Sequence, residues 1–418
     1  DNVQFEPVYS IAHRTSPTNI GYLILSCVIA YNMGYITFCN MIERLENIMN
    51  TIDRMEKWKG HLYNWYDTIS LVPLTPIFVS TVDSGNLMAA LLCSAQIIRE
   101  TVERHDSEDN KLYRDKVFTS QAHGLLDLIN TLNEYADVER KVDKEAVESF
   151  LNNSEKTIEE WNYVLSHYNS DSNFENVNQN ESTKAFALRV KLKGAVSAFI
   201  EELNIDSISI CRDRANEIIK RMEDLALGFD FKPLYNEQKQ LFSVGYSLNE
   251  RRRSGAHYDI VASEARLTSY LAIAKGDVGY EHFFKMARRY SEETGVLLSW
   301  AGTTFEYLLP EAFFKVCEDS LWRKVCDIAV EIQMEYGKEY GIPWGVSESC
   351  FNAMEVNMNF KYKAFGVPEL GIRRNPNTER VVSPYSSLMA IDRKPDEVIK
   401  NLERFKEVGA YGIYGYCE

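Results

Sequence analysis

The sequence predicts an all-α fold in which helical hairpins stack and close into a barrel. Apolar residues from Phe38 to Met55 recur at positions i, i+3, i+4 and i+7, which is the period of an amphipathic helix. Similar patterns recur along the chain, whereas strand-like runs are short and do not alternate regularly with helices. These patterns argue against a parallel α/β sheet, and about a dozen helices in one chain favour a helical barrel with short β-hairpin insertions.

The local patterns predict the approximate bounds of the elements. Ser16 followed by Pro17 is typical of an N-cap with proline at the first helical position, and it predicts a helix through Tyr31. The best strand-like run is Lys239–Leu248, a candidate hairpin arm. Further helices are expected at Asp83–Arg104, Leu112–Glu134, Lys144–His167, Ser182–Leu227, Tyr258–Lys275, Ser320–Tyr340 and Pro395–Val408.

The domain organisation predicted from the sequence is a single domain over residues 1–418. Helical barrels reach this length as one unit. The polar stretch Asn169–Glu181 would suit a domain linker, but a short polar stretch between two helical patterns is more typical of a surface loop. From Asn249 onward the loops are dense in Trp, Tyr, Gly, Ser and Glu, and such loops are where a scaffold carries its chemistry.

The net charge and the cysteine content indicate which kinds of partner the protein binds and which cellular compartment it occupies. The formal net charge of −15 argues against nucleic acid and anionic membranes, because both bind cationic surfaces, and it fits a neutral substrate. None of the eight cysteines lies in a C-x-x-C pair, which predicts buried free thiols, no structural zinc and a reducing compartment. The most apolar stretch near the N-terminus, Ile20–Ile36, is too short and too polar to predict a membrane span.

Glu264 is a candidate general acid. If a helix begins near Tyr258, then Ile260, Glu264 and Leu267 share one face, and a carboxylate lies on an apolar stripe. Burial on that stripe would raise the pKa of Glu264, as a general acid requires. The alternative is a buried glutamate that pairs with an arginine such as Arg266 and has only a structural role.

Glu348 is a second candidate carboxylate. It follows Gly341–Ser347, where a proline and two glycines predict a rigid turn and Ser347 resembles the N-cap of a new helix. A carboxylate in a first helical turn keeps a low pKa, which suits a nucleophile. The alternative is a glutamate that only complements the helix dipole. Trp344, close by in sequence, is typical of a surface that stacks on sugar rings.

Three further residues are candidates for binding a substrate. Glu306 lies among aromatic residues and is expected to bind either sugar hydroxyls or neighbouring backbone. Asp83 is interpreted either as a helix cap or as a ligand of sugar hydroxyls. Arg373 lies in an irregular loop and is a candidate wall of a cleft, although arginine runs usually form a solvated face. The sequence has no nucleophile elbow, zinc-protease, Walker or dinucleotide-binding motif, and its seven histidines show no metal spacing.

Several stretches together resemble the cyclisation (transglycosylase) domain of bacterial cyclic β-1,2-glucan synthases, glycoside hydrolase family 189. The sequence resembles endo-β-1,2-glucanases more distantly. The motifs occur in the family's order over nearly the whole chain, and they are specific only in combination. The matching stretches are Gly60–Thr68, Val79–Leu87, Tyr258–Arg266, Leu298–Thr303, Phe305–Tyr307, Pro343–Ser349, Ala364–Pro368 and Ser383–Tyr385.

The resemblance implies an (α/α)6 barrel and anomer-retaining transfer that closes a linear β-1,2-glucan into a ring. It implies that Glu264 is the acid/base and Glu348 the nucleophile, with no metal or cofactor. It also implies a cytoplasmic domain of an inner-membrane protein, whose contact with the membrane is made only by other modules. The residues expected to bind substrate are Asp83, Trp65, Tyr258, Trp300, Glu306, Trp344, Arg373 and Tyr385.

Two alternatives stay open, an inverting endo-β-1,2-glucanase and a non-catalytic β-glucan-binding domain. The related glucanases tend to carry Asp where this chain has Glu348, which favours transfer over hydrolysis. In the resembling family, the motif at Tyr411–Tyr414 is followed by a further helix, whereas this chain stops at Glu418. The barrel is therefore expected to lack its last C-terminal helix, as a trimmed domain or a fragment would.

Overall fold

A computed structural model describes residues 2–4, 8–106, 110–170, 182–204, 207–262, 264–356, 358, 360–372, 379–412 and 415–417. These residues are mostly helical, as predicted. The helices are α1 (Pro17–Asn32), α2 (Phe38–Arg54), α3 (Thr81–Asp106), α4 (Asn110–Tyr135), α5 (Glu145–Asn152), α6 (Ile158–Asn169), α7 (Thr183–Asn204), α8 (Ser207–Leu227), α9 (Ala265–Lys275), α10 (Glu281–Lys285), α11 (Thr304–Leu308), α12 (Leu321–Tyr340), α13 (Pro384–Leu388) and α14 (Pro395–Glu407).

Short antiparallel strands accompany the helices. The strands are β1 (Asn2–Gln4), β2 (Ser10–Ala12), β3 (Arg14–Thr15), β4 (Lys57–Trp58), β5 (His61–Leu62), β6 (Tyr66–Asp67), β7 (Phe78–Ser80), β8 (Tyr235–Asn236), β9 (Leu241–Phe242), β10 (Gly245–Ser247), β11 (Arg252–Arg253), β12 (Glu348–Met354), β13 (Phe360–Ala364), β14 (Tyr411–Gly412) and β15 (Gly415–Tyr416). The order β7-β10-β11 makes a three-stranded sheet, and the other strands pair two by two. The run Lys239–Leu248, predicted as one hairpin arm, contains two short strands of different sheets, because β9 pairs with β8 and β10 pairs with β7 and β11.

The chain divides into two compact units. Unit 1 comprises Asp1–Gly21, Met55–Ala90 and Leu225–Glu418, and unit 2 comprises Tyr22–Arg54 and Leu91–Asp224. Most of the polar stretch Asn169–Glu181 lies outside the described residues, and the units do not divide there, because both of its flanks belong to unit 2. The single barrel domain over residues 1–418 stays a prediction. Within the described part of the chain, no helix combines the length and the hydropathy that a bilayer span requires.

Unit 2 contains α2 and α4–α8 with most of α1 and the second part of α3, and α4–α7 contribute its core of aliphatic and aromatic side chains. The indole of Trp161 is fully buried there and donates to Gln121 Oε1 at 3.1 Å, so its polar atom is satisfied. The helix predicted over Lys144–His167 is in fact α5 and α6, because a capping box at Thr157 begins a new helix.

The cysteine prediction is wrong for one pair. Cys39 of α2 and Cys211 of α8 form a disulfide within unit 2. These residues are 172 positions apart in sequence, and only the packing of the two helices brings their Cα atoms to 6.0 Å. Cysteine spacing along the chain therefore carried no signal of this bond.

Unit 1 has its own core, to which α9, α12 and the β12–β13 hairpin contribute. The bounds of α12 agree with the sequence prediction, because both of its ends are locally encoded. Ser320 Oγ accepts from Arg323 N at 3.1 Å as an N-cap, and Gly341 ends the helix at a φ of 66°.

Two other element predictions in unit 1 are wrong. Helix α9 begins at Ala265, not near Tyr258, because the preceding residues form a loop whose Ile260 N donates to Ala287 O at 3.1 Å. No helix follows Ser347, because β12 begins at Glu348 and pairs with β13. In both places, backbone partners that are distant in sequence override the local helical pattern.

Helices α3 and α9 approach each other closely where Gly85 faces Thr268. A Cβ atom added to Gly85 would lie 2.0 Å from Thr268 Oγ1 and 2.9 Å from Thr268 Cα, so a larger residue does not fit. Asp83 and Asn86 flank Gly85 on α3, and Thr268 N donates to Glu264 O at 3.2 Å. The close approach therefore brings the start of α3 to the start of α9.

We expect Gly85→Ala to lower the free energy of unfolding by about 1–3 kcal/mol, because the added methyl group overpacks the contact with Thr268. Urea denaturation of the two variants measures this. Gly194→Ala in α7 is the matched control, since nothing lies within 4 Å of its added Cβ. Alanine should stabilise that helix by about 0.5–1 kcal/mol. An equal loss of stability in both variants would contradict the close approach.

Candidate active site

Glu264 is a buried carboxylate at the start of α9. It is 6% exposed and occupies the N-cap position, and its Oε1 accepts a hydrogen bond of 2.9 Å from Asn86 Nδ2. Burial, together with the negative charges of Asp83 and Glu348, raises the pKa of Glu264 to about 8. Glu264 is therefore mostly protonated at neutral pH, which is the state that a general acid requires.

Arg266 does not neutralise Glu264. Its guanidinium lies 3.9 Å from the ring centroid of Trp322 and donates to Tyr307 O at 3.3 Å. The structure therefore does not contain the ion pair between Glu264 and Arg266 that was the structural alternative. Glu264 is desolvated without the charge of Arg266 to lower its pKa.

Asp83 lies in the first turn of α3 but is not its cap. Ser80 Oγ accepts from Asp83 N at 3.3 Å, so Ser80 caps the helix. Thr18 Oγ1 donates to Asp83 Oδ1 at 2.6 Å. The hydrogen-bonding pattern orients the Asn64 amide so that its nitrogen donates to Asp83 Oδ2 and its oxygen accepts from Trp65 Nε1, each at 3.1 Å. Both oxygens of Asp83 are thus held in place, and the carboxylate retains lone pairs for further donors.

Glu348 begins β12 and faces a hydroxyl donor. It pairs with Ala364, so Tyr362 is its diagonal neighbour across the hairpin, and Tyr362 OH donates to Glu348 Oε2 at 2.8 Å. Ser347 Oγ accepts from Phe305 N at 3.1 Å and caps no helix at this point. No helix dipole therefore acts on Glu348 from this segment, and the hydroxyl of Tyr362 is a donor that favours its ionised form.

Tyr385 supports the backbone beside Glu348. Its hydroxyl donates to Glu348 O at 2.9 Å and lies 3.0 Å from Ser347 Oγ. The ring of Tyr385 also packs edge-on against Phe305, with the two centroids 6.3 Å apart. Tyr385 therefore positions the strand that carries Glu348.

The three acidic side chains converge near Tyr258. Burial, followed by the negative charges of Glu264, Asp83 and Glu348, raises the pKa of this half-buried tyrosine well above its usual value. Its hydroxyl therefore keeps its proton and is a donor beside the carboxylates. Among the described residues, no group of three or more His, Cys, Asp and Glu is arranged to hold a metal ion.

Glu306 holds the loop that precedes α11. It is buried and forms a capping box with Thr303 at the start of α11. The groups that donate to its Oε2 are Ser299 Oγ at 2.8 Å, Ala301 N at 3.1 Å, Gly302 N at 3.0 Å and Thr303 N at 3.1 Å. These contacts match the alternative stated for Glu306, a carboxylate that satisfies neighbouring backbone, and its binding of sugar stays a prediction.

The prediction that Trp344 stacks on a sugar ring is wrong. It is 5% exposed and belongs to the core of unit 1. The amide of Asn401 accepts from Trp344 N at 3.0 Å and donates to Trp344 O at 2.8 Å, and Gly337 of α12 lies against its Cβ. Its ring therefore cannot stack on a sugar, although it is close to Glu348 in sequence.

Two other tryptophans are accessible. Trp300 is 59% exposed, and Trp65 is 37% exposed with the guanidinium of Arg14 at 5.3 Å from its ring centroid. Both keep a surface on which an apolar sugar face can pack. Arg373 lies outside the described residues.

Sequence reasoning missed four residues of the site, Thr18, Asn64, Asn86 and Tyr362. Asn86 follows Asp83 by three positions on α3, so the helical period alone places them on one face. Asn64 precedes Trp65 within a stretch that had been recognised. Thr18 and Tyr362 carry no local signal, because their partners come from distant parts of the chain.

Comparison with known proteins identifies relatives along the whole chain. A glycoamylase family model described as "Putative glucoamylase" matches residues 256–418, which include Glu264 and Glu348. The chain is 35% identical over 442 residues to the cyclic β-(1,2)-glucan synthase NdvB of Rhizobium meliloti (strain 1021). That alignment covers 100% of this chain and 15% of the synthase, so the chain corresponds to a small part of that relative.

Solved structures share the fold. An endo-β-1,2-glucanase from Chitinophaga pinensis matches with a TM-score of 0.55 at 12% identity, over 97% of this chain and 75% of that enzyme. An endo-β-1,2-glucanase from Talaromyces funiculosus matches with a TM-score of 0.55 at 10% identity, over 98% and 70%. At such identities these likenesses show the fold alone. The 35% identity is different in kind, because it makes the chain homologous along its whole length to a segment of a cyclic β-(1,2)-glucan synthase and confirms the predicted resemblance to these synthases.

Proposed function

We propose that this chain is a glycoside hydrolase-type transglycosylase that cyclises linear β-1,2-glucan with retention of the anomeric configuration. The observation that carries the proposal is Glu264, a buried carboxyl group whose pKa is raised to about 8 beside Asp83 and Glu348. Homology to a cyclic β-(1,2)-glucan synthase supplies the substrate class. The chain spans 15% of that synthase, so activity on the glucan is proposed for this segment in its own right.

The first half of the proposed reaction breaks the glycosidic bond. Glu264 gives its proton to the glycosidic oxygen while Glu348 attacks the anomeric carbon, and the glucan segment that bore that oxygen leaves as an alcohol. A glycosyl ester on Glu348 remains. The hydroxyl of Tyr362, which donates to Glu348 Oε2, favours the ionised carboxylate that this attack requires.

The second half closes the ring. Glu264, now ionised, takes the proton from the 2-hydroxyl group at the far end of the same glucan, and that oxygen attacks the anomeric carbon. The ester bond to Glu348 breaks, and both carboxyl groups return to their starting states. A pKa near 8 suits Glu264 to both roles, because the group gains and loses a proton readily near neutral pH.

Substrate contacts are proposed from the accessible aromatic and polar side chains. Trp300 and Trp65 offer faces for sugar stacking, and Asp83 and Tyr258 offer an acceptor and a donor for hydroxyl groups. Tyr385 is proposed to contribute from its place beside the backbone of Glu348. Arg373 is proposed from its sequence position alone, and the (α/α)6 barrel from the family resemblance. An experimental structure with a bound oligosaccharide tests all of these contacts and the barrel.

An inverting endo-β-1,2-glucanase is the second candidate, because two solved structures with this fold are endo-β-1,2-glucanases. Incubation with linear β-1,2-glucan distinguishes the reactions. Cyclic products without new reducing ends support transfer, whereas rising reducing sugar supports hydrolysis. Binding of the glucan without turnover would support a non-catalytic binding domain and contradict both enzymatic candidates.

We expect Glu264→Gln and Glu348→Gln each to lower the rate of cyclisation by about a hundredfold or more, with the fold intact. Glu335→Gln on the exposed face of α12 is the matched control and should keep full activity. Azide added to Glu264→Gln should yield a β-glucosyl azide, because a retained glycosyl ester on Glu348 is then attacked by azide. Near-normal cyclisation by Glu348→Gln would exclude Glu348 as the nucleophile.

The pH dependence of kcat/KM follows from the pKa of Glu264. Bond cleavage needs the protonated acid, so kcat/KM should fall as the pH rises through about 8. The negative charge of Asp83 helps to raise that pKa, so Asp83→Asn should move the basic limb of the profile to lower pH. Asp213→Asn, a substitution of an exposed residue on α8, should leave the profile unchanged. A limb that stays in place or moves to higher pH in Asp83→Asn would contradict this account.

We also propose that the segment works in the cytoplasm as part of a membrane-bound parent protein, as the family resemblance implies. The disulfide between Cys39 and Cys211 bears on this proposal, because disulfides persist mainly in oxidising compartments. Rapid thiol alkylation of whole cells followed by mass spectrometry tests it. The cells are denatured in the alkylating agent, because Cys211 is buried and would otherwise be protected in either state. The cytoplasmic proposal predicts that both thiols are reduced and alkylated, whereas recovery of the Cys39–Cys211 disulfide would contradict it.

A further inference from the structure

Two side chains connect Asp83 to Glu264 through hydrogen bonds. Thr18 Oγ1 lies 2.6 Å from Asp83 Oδ1, and Asn86 Nδ2 lies 3.1 Å from Thr18 Oγ1 and 2.9 Å from Glu264 Oε1. Asn86 is buried, and Thr18 is half-buried at the start of α1. All four residues belong to unit 1. The result is a continuous chain of hydrogen bonds from one carboxyl group to the other.

The direction of every bond in this chain follows from the charge of Asp83. An ionised carboxylate only accepts, so the single proton of the Thr18 hydroxyl is donated to Asp83 Oδ1. Thr18 Oγ1 must then accept its other hydrogen bond, and the group of Asn86 that faces it has to be the amide nitrogen. The same nitrogen donates its second proton to Glu264 Oε1.

This direction decides which oxygen of Glu264 carries the acid proton. A neutral carboxyl group has one proton, and Oε1 is already the acceptor of the bond from Asn86. Because the carbonyl oxygen of a neutral carboxyl group is the stronger acceptor, this bond favours the proton on Oε2. We propose that Thr18 and Asn86 are positioning residues that keep the acid proton of Glu264 on Oε2 for transfer, an inference that rests on the proposed role of Glu264 as the acid/base.

The orientation of the Asn86 amide is not favoured by its other neighbours. In this orientation Asn86 Oδ1 is buried and accepts no hydrogen bond from the described residues, which is unfavourable. The bonds to Thr18 and Glu264 therefore hold the amide in place. If Thr18 lost its hydroxyl, the amide of Asn86 would be able to turn. Its Oδ1 would then accept a hydrogen bond from Glu264, with the acid proton on Oε1 instead of Oε2.

The groups that set the titration of Glu264 come from three elements. Asp83 on α3 and Glu348 on β12 raise its pKa by their charges, and Tyr258 lies in the loop before α9 near the same carboxyl groups. The hydrogen bond from Asn86 acts in the opposite direction, because a donor to the ionised form lowers the pKa. Loss of that bond should therefore raise the pKa of Glu264, whereas loss of the charge of Asp83 should lower it.

The substitution Thr18→Val removes the hydroxyl and keeps the shape of the side chain, and Thr18→Ser is the matched variant that keeps the hydroxyl. We expect Thr18→Val to lower kcat by about tenfold with KM within about twofold, and to move the basic limb of the pH profile to higher pH. Thr18→Ser should restore kcat to within about twofold of the wild-type value and return the limb to its wild-type position.

Infrared titration of the substrate-free protein reads the same pKa without activity. The band of the protonated carboxyl group is assigned to Glu264 by its loss in Glu264→Gln. An unchanged titration in Thr18→Val, or equal losses of kcat in Thr18→Val and Thr18→Ser, would overturn the proposal. Asn86→Ala should raise the pKa in the same direction, and it decides the matter if Thr18→Val does not fold. A wild-type protein inactive on β-1,2-glucan would refute the proposed function, while the titration still decides whether Thr18 acts on Glu264.

Discussion

The close packing of α3 on α9 at Gly85 is the constraint on which the acid of this site depends. Because Gly85 has no side chain, the backbone of α3 lies against Thr268, one turn after Glu264. Asp83 and Asn86 on either side of Gly85 are then near a carboxyl group that has lost its contact with water. Desolvation and a neighbouring negative charge both disfavour the ionised form, and together they raise the pKa of Glu264 to about 8.

The second carboxylate, Glu348, is held by different means. It lies on a hairpin strand, so its position depends on the segments that fix the start of β12. Glu306 fixes the loop before α11, and Thr304 N and Phe305 N then donate to Val346 O and Ser347 Oγ, each at 3.1 Å. Glu306 thus contributes to the geometry of Glu348 through the backbone that its carboxylate holds.

Local signals in the sequence predicted the regular helices well and the site only in part. The helical period and the caps at Ser16 and Ser320 were sufficient for α1, α2 and α12, because these signals lie within the elements themselves. The start of α9 and the strand at Glu348 were missed, because their backbone partners, Ala287 and Ala364, are distant in sequence. The exposure of side chains could not be predicted from the sequence either. Trp300 and Trp344 have similar neighbours in sequence, but only Trp344 packs into the core.

Two residues of α3 shift the pKa of Glu264 in opposite directions, and the resulting pKa bears on the type of reaction. The charge of Asp83 raises the pKa of Glu264, whereas the amide of Asn86, held in its orientation through Thr18, lowers it. Hydrolysis by inversion requires only that the general acid donate a proton. Transfer with retention requires that the same carboxyl group donate a proton in one step and accept a proton in the next. A carboxyl group that titrates near the working pH performs both steps without a large free-energy cost in either, which is the property that the proposed transfer requires of Glu264.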